Sequence, residues 1–318
     1  MFKLNFDIPQ SEKKITLKDQ IYLIGSCFSD EIGSLLKENK FSSLNNPFGT
    51  LYNPHSICKL IRNESSGNEI IDSQGVFYHW DSHGQVSGLD ESEVISSFEN
   101  ALKQSDKALK EVNWLVITLG TGLVYRLKAT NEIVANCHKI PSNQFSKELL
   151  TTNSIVDDFK KTIDYLKGIN PELNILFTVS PVRHVKDGLV ENNLSKSRLI
   201  SAVHELVNNH SHLHYFPSYE IMMDELRDYR FYKKDMIHPS EEAVEYVWKK
   251  FSDTYFDQEA LSFLSEWQKI KSALHHKPFQ PHSDKHQQFL KNTLLQLEKL
   301  NDLVDISVEK QMLQEQLK

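Results

Sequence analysis

The stretch Ile21-Tyr22-Leu23-Ile24-Gly25-Ser26-Cys27-Phe28 decides how the chain is read. Four apolar residues run into a glycine, and small nucleophilic side chains follow at once. Over residues 29–40 apolar positions recur with helical spacing at Ile32, Leu35 and Leu36, and Ser29 or Asp30 can cap the first turn. The pattern is strand, tight turn, helix. In an open α/β sheet, ligands bind outside the carboxyl ends of the strands. A helix starting there aims free N–H groups and a partial positive charge at them. A thiol or hydroxyl in that turn is placed to attack a carbonyl. The same residues also fit a plain turn, with Gly25 making the bend and Cys27 a small buried hydrophobe.

The alternation continues down the chain. Residues 41–44 read as a second strand running into the turn-rich Asn45-Asn46-Pro47-Phe48-Gly49-Thr50. Residues 114–119 are apolar on both faces, as a central parallel strand should be, and end in Gly120-Thr121-Gly122. Residues 174–179 form a further buried strand ending in Ser180-Pro181-Val182-Arg183-His184, and 212–216 a last, less apolar one. Helical spacing falls at 54–62, 91–110, 154–167, 195–208 and 240–251. Five strands alternating with helices predict an α/β fold, a flavodoxin-like three-layer sandwich around a five-stranded parallel sheet. The glycine-punctuated segment 65–89 and the pair 123–127 and 133–135 read as inserted hairpins, with a polar loop at 136–141. From Glu259 the character turns helical, broken by Pro278 and Pro281, and a charged tail follows. The expected division is an α/β domain over 1–255 and a C-terminal helical appendage over 256–318. The appendage is expected to pack on the core or on a second copy, making a homo-oligomer.

A hydrophobic share of 39% with 25% charged residues is ordinary for a globular protein. The net charge of -7 argues against a nucleic-acid partner. Cys27, Cys58 and Cys137 are an odd, sparse set that suits a reducing compartment better than a disulfide framework. The first residues lack a signal-peptide pattern, and no apolar run reaches membrane-span length. The expectation is a cytoplasmic, soluble protein with no membrane span.

A second element carries chemistry: Asp235-Met236-Ile237-His238-Pro239-Ser240, just before the last core helix. A carboxylate three residues ahead of a histidine can hold one ring nitrogen and leave the other free as a base. Strand one ends in Gly25-Ser26-Cys27-Phe28, strand two in Gly49, strand three in Gly120-Thr121-Gly122, and Asp235-x-x-His238 closes the series. This layout resembles the SGNH (GDSL-type) hydrolases. More closely it resembles the GSCFA family, named for Gly-Ser-Cys-Phe-Ala; here the last place is Ser29. Asn46-Pro47-Phe48-Gly49, Tyr52-Asn53-Pro54, Trp80-Asp81-Ser82-His83, Asn136-Cys137-His138-Lys139 and Ser180-Pro181-Val182-Arg183-His184 also resemble that family's blocks. The resemblance covers roughly residues 20–252.

The resemblance implies an SGNH-like fold with Cys27 at the nucleophile position and Ser26 where the superfamily has aspartate. Gly122 stands where an oxyanion-donating asparagine is expected; losing one such donor typically costs about 10²–10³ in rate. Asn136, His138 and Arg183 are replacement candidates, with the backbone N–H groups of Cys27 and Gly49. Arg183, His184 and Lys186 could read an anionic group. His210, His212 and His214 alternate on a strand but have no nearby ligand to complete a metal site, so neither a metal nor a cofactor is expected.

Two readings stand. In the first, Cys27 attacks an acyl carbonyl, His238 takes its proton, Asp235 orients His238, and water or an acceptor hydroxyl resolves the intermediate. The substrate is then a small acyl ester, a thioester or an acylated saccharide, and the outcome hydrolysis or acyl transfer. In the second, the chain keeps the fold and pocket as a non-catalytic binding module. Between Ser26 and Cys27, turn register favours Cys27. A thiol at a helix N-terminus beside a histidine is expected to have a lowered pKa and to lie within hydrogen-bonding reach of His238.

Overall fold

The computed structural model describes residues 4–65 and 69–317. The start of the lead-in, residues 66–68 of the first hairpin segment and the last residue of the tail lie outside the described residues.

The chain opens with β1 (Gln20–Gly25), α1 (Cys27–Glu38), β2 (Ser42–Asn45) and α2 (Pro54–Ile61). An inserted three-stranded sheet follows, built from β3 (Ile70–Ser73), β4 (Val76–His79) and β5 (Ser87–Gly88). Then come α3 (Glu91–Glu111) and β6 (Trp114–Leu119). A second inserted sheet is built from β7 (Leu123–Leu127), β8 (Ile133–Val134) and β9 (Phe145–Leu149). The core resumes with α4 (Thr152–Ile169), β10 (Asn174–Val179), α5 (Leu189–Val207) and β11 (Leu213–Phe216). A single turn, α6 (Ser218–Glu220), runs into a π turn at Ile221–Glu225. The remaining helices are α7 (Glu241–Tyr255), α8 (Gln258–Leu274), α9 (Asp284–Glu298) and α10 (Ser307–Gln316).

The main sheet has the order β11-β10-β6-β1-β2, every pair parallel. This is the flavodoxin-like order, and it follows from the local sequence. β1 and β6 are buried along almost their whole length because both sheet faces are covered. One face packs Tyr22, Leu115, Ile117 and Phe177 against α2, α3, α4 and α5. The other packs Ile21, Leu23, Val116 and Leu176 against α1 and α7. Those contacts alternate along each strand, as the two-residue side-chain period requires.

Three elements differ from the sequence expectation. α1 begins at Cys27 rather than near Ser29, with Ser26 at the cap position, so the nucleophile candidate belongs to the first helical turn. α5 begins at Leu189, six residues before the helical spacing becomes apolar enough to read, because its first turn carries exposed Leu189 and Val190. β9 was not expected: Phe-Ser-Lys-Glu-Leu shows only Phe145 and Leu149 to the interior, too few apolar residues to signal a strand.

After Asp257 the helices pack on one another and on the far end of α1. Phe263, Trp267, Ile270, Leu290, Leu297, Leu300, Ile306 and Leu313 make a separate small core. Trp267 Nε1 donates to the Glu38 carbonyl at 2.8 Å, and Lys40 pairs with Glu309 at 2.7 Å. Among the described residues no helix is long and apolar enough to cross a membrane.

Candidate active site

The site candidates lie where β1, β6 and β10 end. Gly25 has φ +139°, and a Cβ there would stand 2.2 Å from the Thr118 carbonyl oxygen, so only glycine lets β1 turn this close to β6. The turn is then braced from the side. The Gly25 N–H donates to Asn46 Oδ1 at 2.8 Å, and Asn46 Nδ2 donates to Asp30 Oδ1 at 2.8 Å. Asn46 itself sits at φ +40°, a left-handed conformation asparagine tolerates. The Asn-Pro-Phe-Gly block therefore clamps the Gly-Ser-Cys-Phe turn to the start of α1.

Ser26 and Cys27 have different environments. Ser26 is buried, its N–H donates to Thr118 O at 3.0 Å, and its hydroxyl has no partner. Cys27 is half-buried and free of any disulfide. Of the two, Cys27 is the side chain a substrate can reach. Its thiol pKa is raised, contrary to the expectation of a lowered one. Burial is the main cause, the carboxylates of Asp30 and Glu31 add to it, and the Lys196 ammonium opposes it. Burial and the charges of α1's own first turn together outweigh the groups that favour the thiolate.

Lys196 was not singled out in the sequence, although it lies on the buried stripe of α5 with Leu199, Val203 and Leu206. It is 1% exposed, and its Nζ donates to the Ser180 carbonyl at 2.6 Å, at the end of β10. Burial pushes its pKa down to about 7, with Cys27 pulling upward and Arg183 downward.

The Asp235-His238 pair forms as the spacing implies. Asp235 Oδ2 accepts from or shares a proton with His238 Nδ1 at 2.7 Å, while Oδ1 accepts from the N–H groups of Ile237 and His238 at 2.9 and 3.0 Å. The two backbone N–H groups, then the ring, hold the Asp235 carboxyl well below the usual carboxylate range. A left-handed residue, Met236 at φ +60°, lets the loop fold back on its own aspartate. Lys233, at the loop's base, pairs with Glu31 of α1 at 3.3 Å, which leans the loop toward the helix that Cys27 opens. Among the described residues no hydrogen bond joins Cys27 to His238.

Tyr52 and His184 meet nearby. The Tyr52 carbonyl accepts from the N–H groups of Gly120 and Thr121, and its ring meets the His184 ring edge-on at 5.2 Å. Burial raises the Tyr52 pKa, and the charges of Cys27 and Asp30 add to it. Burial, then Lys196, pushes the His184 pKa down to about 4, with His238 adding to the fall. Arg183 points toward the π turn, donating to Tyr232 Oη at 3.3 Å and to Met223 Sδ at 2.9 Å. His83 packs against the tight turn at Gly49, where a Cβ would come 2.6 Å from His83 Cβ.

Other residues named from the sequence serve the frame. The Gly122 N–H donates to Ser195 Oγ at 2.7 Å and the Gly49 N–H to Asn46 O at 2.8 Å, so neither donor is free for an oxyanion. Asn136 Oδ1 accepts from the N–H of His138. His138 is buried, stacked on Tyr78 at 4.7 Å, with Nε2 on the His79 carbonyl at 2.9 Å. Asn136 and His138 thus hold one inserted sheet against the other, and none of their hydrogen bonds reaches Cys27. The Cys27 N–H, first in its helix, donates to no other residue among those described. His214 packs between Trp114 and Tyr255, and no group of three or more metal-binding side chains is assembled among the described residues. A charged groove of about 770 Å³ beside His55, Arg62 and Asp158 contains none of the site residues.

A family model described as "GSCFA family" matches residues 20–251, and one described as "GSCFA domain protein, C-terminal domain" matches residues 267–318. No curated protein matches the chain. Among solved structures the chain is similar to a Clostridium thermocellum family 3 carbohydrate esterase, at 11% identity and a TM-score of 0.34, covering 79% of this chain and 98% of that one. It is also similar to a family two carbohydrate esterase from Clostridium thermocellum in complex with cellohexaose, at 14% identity and a TM-score of 0.35, covering 79% and 65%. A third is a carbohydrate esterase family 2 enzyme of Corynascus thermopiles (Myceliophthora fergusii), at 12% identity and a TM-score of 0.34, covering 81% and 69%. Likeness at this level says nothing of this chain's reaction.

Proposed function

Because the chain belongs to the GSCFA family, we propose that it is an SGNH-like hydrolase of acyl esters or thioesters, with acyl transfer to a hydroxyl as the variant outcome. Cys27 is the nucleophile, His238 its base and Asp235 the group that orients His238. The observation that carries this reading is the Asp235-His238 pair at 2.7 Å, on a loop tied by Lys233 to the helix that begins at Cys27. The carboxylate fixes the ring so that Nε2 is left for the thiol. In the reaction Sγ forms a bond to the acyl carbon, His238 takes the thiol proton, and the same proton passes to the leaving alkoxide or thiolate. Water then attacks the thioester carbon, losing its proton to His238; the C–S bond breaks, the imidazolium returns the proton to Cys27 Sγ, and the acid is released. The Cys27 N–H, which no other described residue engages, is the first donor for the oxyanion.

The engaged N–H of Gly122 favours a second reading, a binding module that keeps the pocket without turnover. A panel of short and long acyl p-nitrophenyl esters and acyl thioesters separates the two. Turnover by the wild-type protein that is lost in Cys27→Ala supports the enzyme. Binding without turnover across the panel supports the module. Since all three cysteines are free, we also propose a cytoplasmic protein. Residues 256–318 are proposed as an appendage distinct from the α/β unit, joining copies of the chain through its exposed Leu295, Val308 and Met312; sedimentation of a chain ending at residue 255 against the full chain tests this.

A further inference from the structure

Arg183 is a cation at the edge of the site that the reaction above leaves unused. It follows β10 in the run Ser180-Pro181-Val182-Arg183-His184. Its backbone is fixed by buried Asn192, whose Oδ1 accepts from the His184 N–H at 2.9 Å. From there the guanidinium crosses to the segment that carries His238. Nη1 donates to Tyr232 Oη at 3.3 Å, and the guanidinium carbon lies 5.9 Å from the centre of the Tyr232 ring. Tyr232 forms an antiparallel bridge with Pro239, the residue after His238. The Lys233 N–H donates to the His238 carbonyl at 2.7 Å. A continuous set of contacts therefore leads from Arg183 to the loop of the proposed base.

The acceptors of this guanidinium are poor ones. The phenol oxygen stands beyond the usual N–H···O distance. The other acceptor, Met223 Sδ, is a thioether, which accepts only weakly. Met223 belongs to the π turn at Ile221–Glu225, a rare conformation found mostly at functional sites. Among the described residues no carboxylate pairs with Arg183, and its remaining N–H groups have no protein acceptor. The acids around it are engaged elsewhere. Glu220 accepts from Tyr215 Oη, Glu225 pairs with Lys250, Asp187 with Lys147 and Glu31 with Lys233. Burial holds His184 neutral at neutral pH, and exposed Lys186 adds a second positive charge to the same segment. A half-buried guanidinium pinned on an aromatic ring, with donors left over, is a fork that matches the oxygens of a carboxylate or phosphate.

We propose that Arg183 is a specificity residue of the site, binding an anionic group, a carboxylate or a phosphate, that the substrate carries away from its scissile bond. The anion takes the donors that the protein leaves unused, while Tyr232 keeps the guanidinium in place. Because Tyr232 is laddered to Pro239, the bound anion lies against the segment that positions His238, and binding draws that loop to the site. The inference rests on the proposed reaction at Cys27 and adds its substrate class: an ester or thioester with an acidic acyl group or a phosphorylated leaving group.

The test is titration calorimetry on the full chain with product-like probes in two pairs, adipate against hexanoate and coenzyme A against pantetheine. The members of the first pair differ by an anionic group on the acyl side, and those of the second by anionic groups on the leaving-group side. The wild-type protein is expected to bind the more anionic member of a pair about tenfold more tightly or better, as charge-assisted hydrogen bonds imply. A preference for adipate puts the anion on the acyl group, and one for coenzyme A puts it on the leaving group. Arg183→Met abolishes the preference and leaves the affinity for the other member unchanged. Arg183→Lys, which keeps the charge without the fork, retains part of it. Should Arg183→Met fail to fold, Arg183→Gln is read in the same way. No preference in either pair overturns the proposal, and so does a preference that survives Arg183→Met. The readout needs no turnover, so the two readings fail separately. Ester hydrolysis through Cys27 by a protein without the preference defeats this inference alone. A preference in a protein whose Cys27→Ala variant turns over esters undiminished defeats the nucleophile assignment and leaves the anion site standing.

Discussion

The two halves of the candidate site are built in opposite ways. The Cys27 half is part of the sheet's edge. Gly25 lies against the Thr118 carbonyl, Asn46 bridges Gly25 to Asp30, and Lys196 is buried beneath Ser180. The His238 half is an exposed loop. Both side chains of its Asp-His pair are 45% exposed, and an ion pair between half-exposed Lys233 and Glu31 ties it to α1. A buried, densely hydrogen-bonded half holds geometry to within packing tolerance. An exposed loop with few buried contacts opens at low free-energy cost. The arrangement suits a fixed nucleophile served by a base that settles once substrate is present, since catalytic hydrogen bonds often tighten only in the complex.

That contrast predicts that mutations in the two halves fall on different measurements. The largest effect is expected at the loop: His238→Ala should lower kcat/KM by about 10²–10⁴, the usual share of a general base, with the melting temperature almost unchanged. If ester turnover survives His238→Ala intact, the loop half is not a base at all. Gly25→Ala should do the reverse. Its Cβ would meet Thr118 O at 2.2 Å, and strained positions of this kind typically cost on the order of 3 kcal/mol or more, so thermal melting should show a large drop or no folded protein. Normal melting of Gly25→Ala would show the turn can relax and would blur the distinction between the halves.

A middle effect sharpens the comparison. Asn46→Ala leaves the buried Gly25 N–H without its acceptor, which should cost about 1–3 kcal/mol in denaturant unfolding. The Glu31–Lys233 link should be the smallest. An exposed pair contributes at most about 1 kcal/mol and is screened by salt, so Glu31→Gln should leave stability within that limit. Its trace should be a few-fold fall in kcat/KM at low ionic strength that vanishes at high salt. A gain in kcat/KM instead would mean that Glu31 acts chiefly on the Cys27 thiol, whose pKa its carboxylate raises.

The legibility of the two halves in the sequence also differs. β1, β6 and β10 read correctly because burial on both faces leaves unbroken apolar runs such as Trp-Leu-Val-Ile-Thr-Leu. The contact of Asp235 with His238 is legible because three residues of spacing within one loop determine it. Lys196 lies in Ser195-Lys196-Ser197-Arg198, a polar string that reads as a solvated helix face. Only its phase with Leu199, Val203 and Leu206 puts it inside. The thiol's raised pKa depends first on burial and then on the carboxylates of Asp30 and Glu31, within the same helical turn, which a helix start placed near Ser29 concealed. Asn136 and His138 stand on a loop that the sequence puts at the active edge, and their hydrogen bonds lie elsewhere. Their role is set by tertiary stacking on Tyr78 and the His79 carbonyl, which no local pattern encodes.

The central claim is that Cys27 carries the acyl group. Acid-quenched incubation with a turned-over p-nitrophenyl ester, followed by peptide mass, tests it most directly. The account predicts one acyl mass on the peptide at Cys27, absent from Cys27→Ala and formed more slowly in His238→Ala. Hydrolysis that continues in Cys27→Ala, or an acyl group found on Ser26, would contradict it.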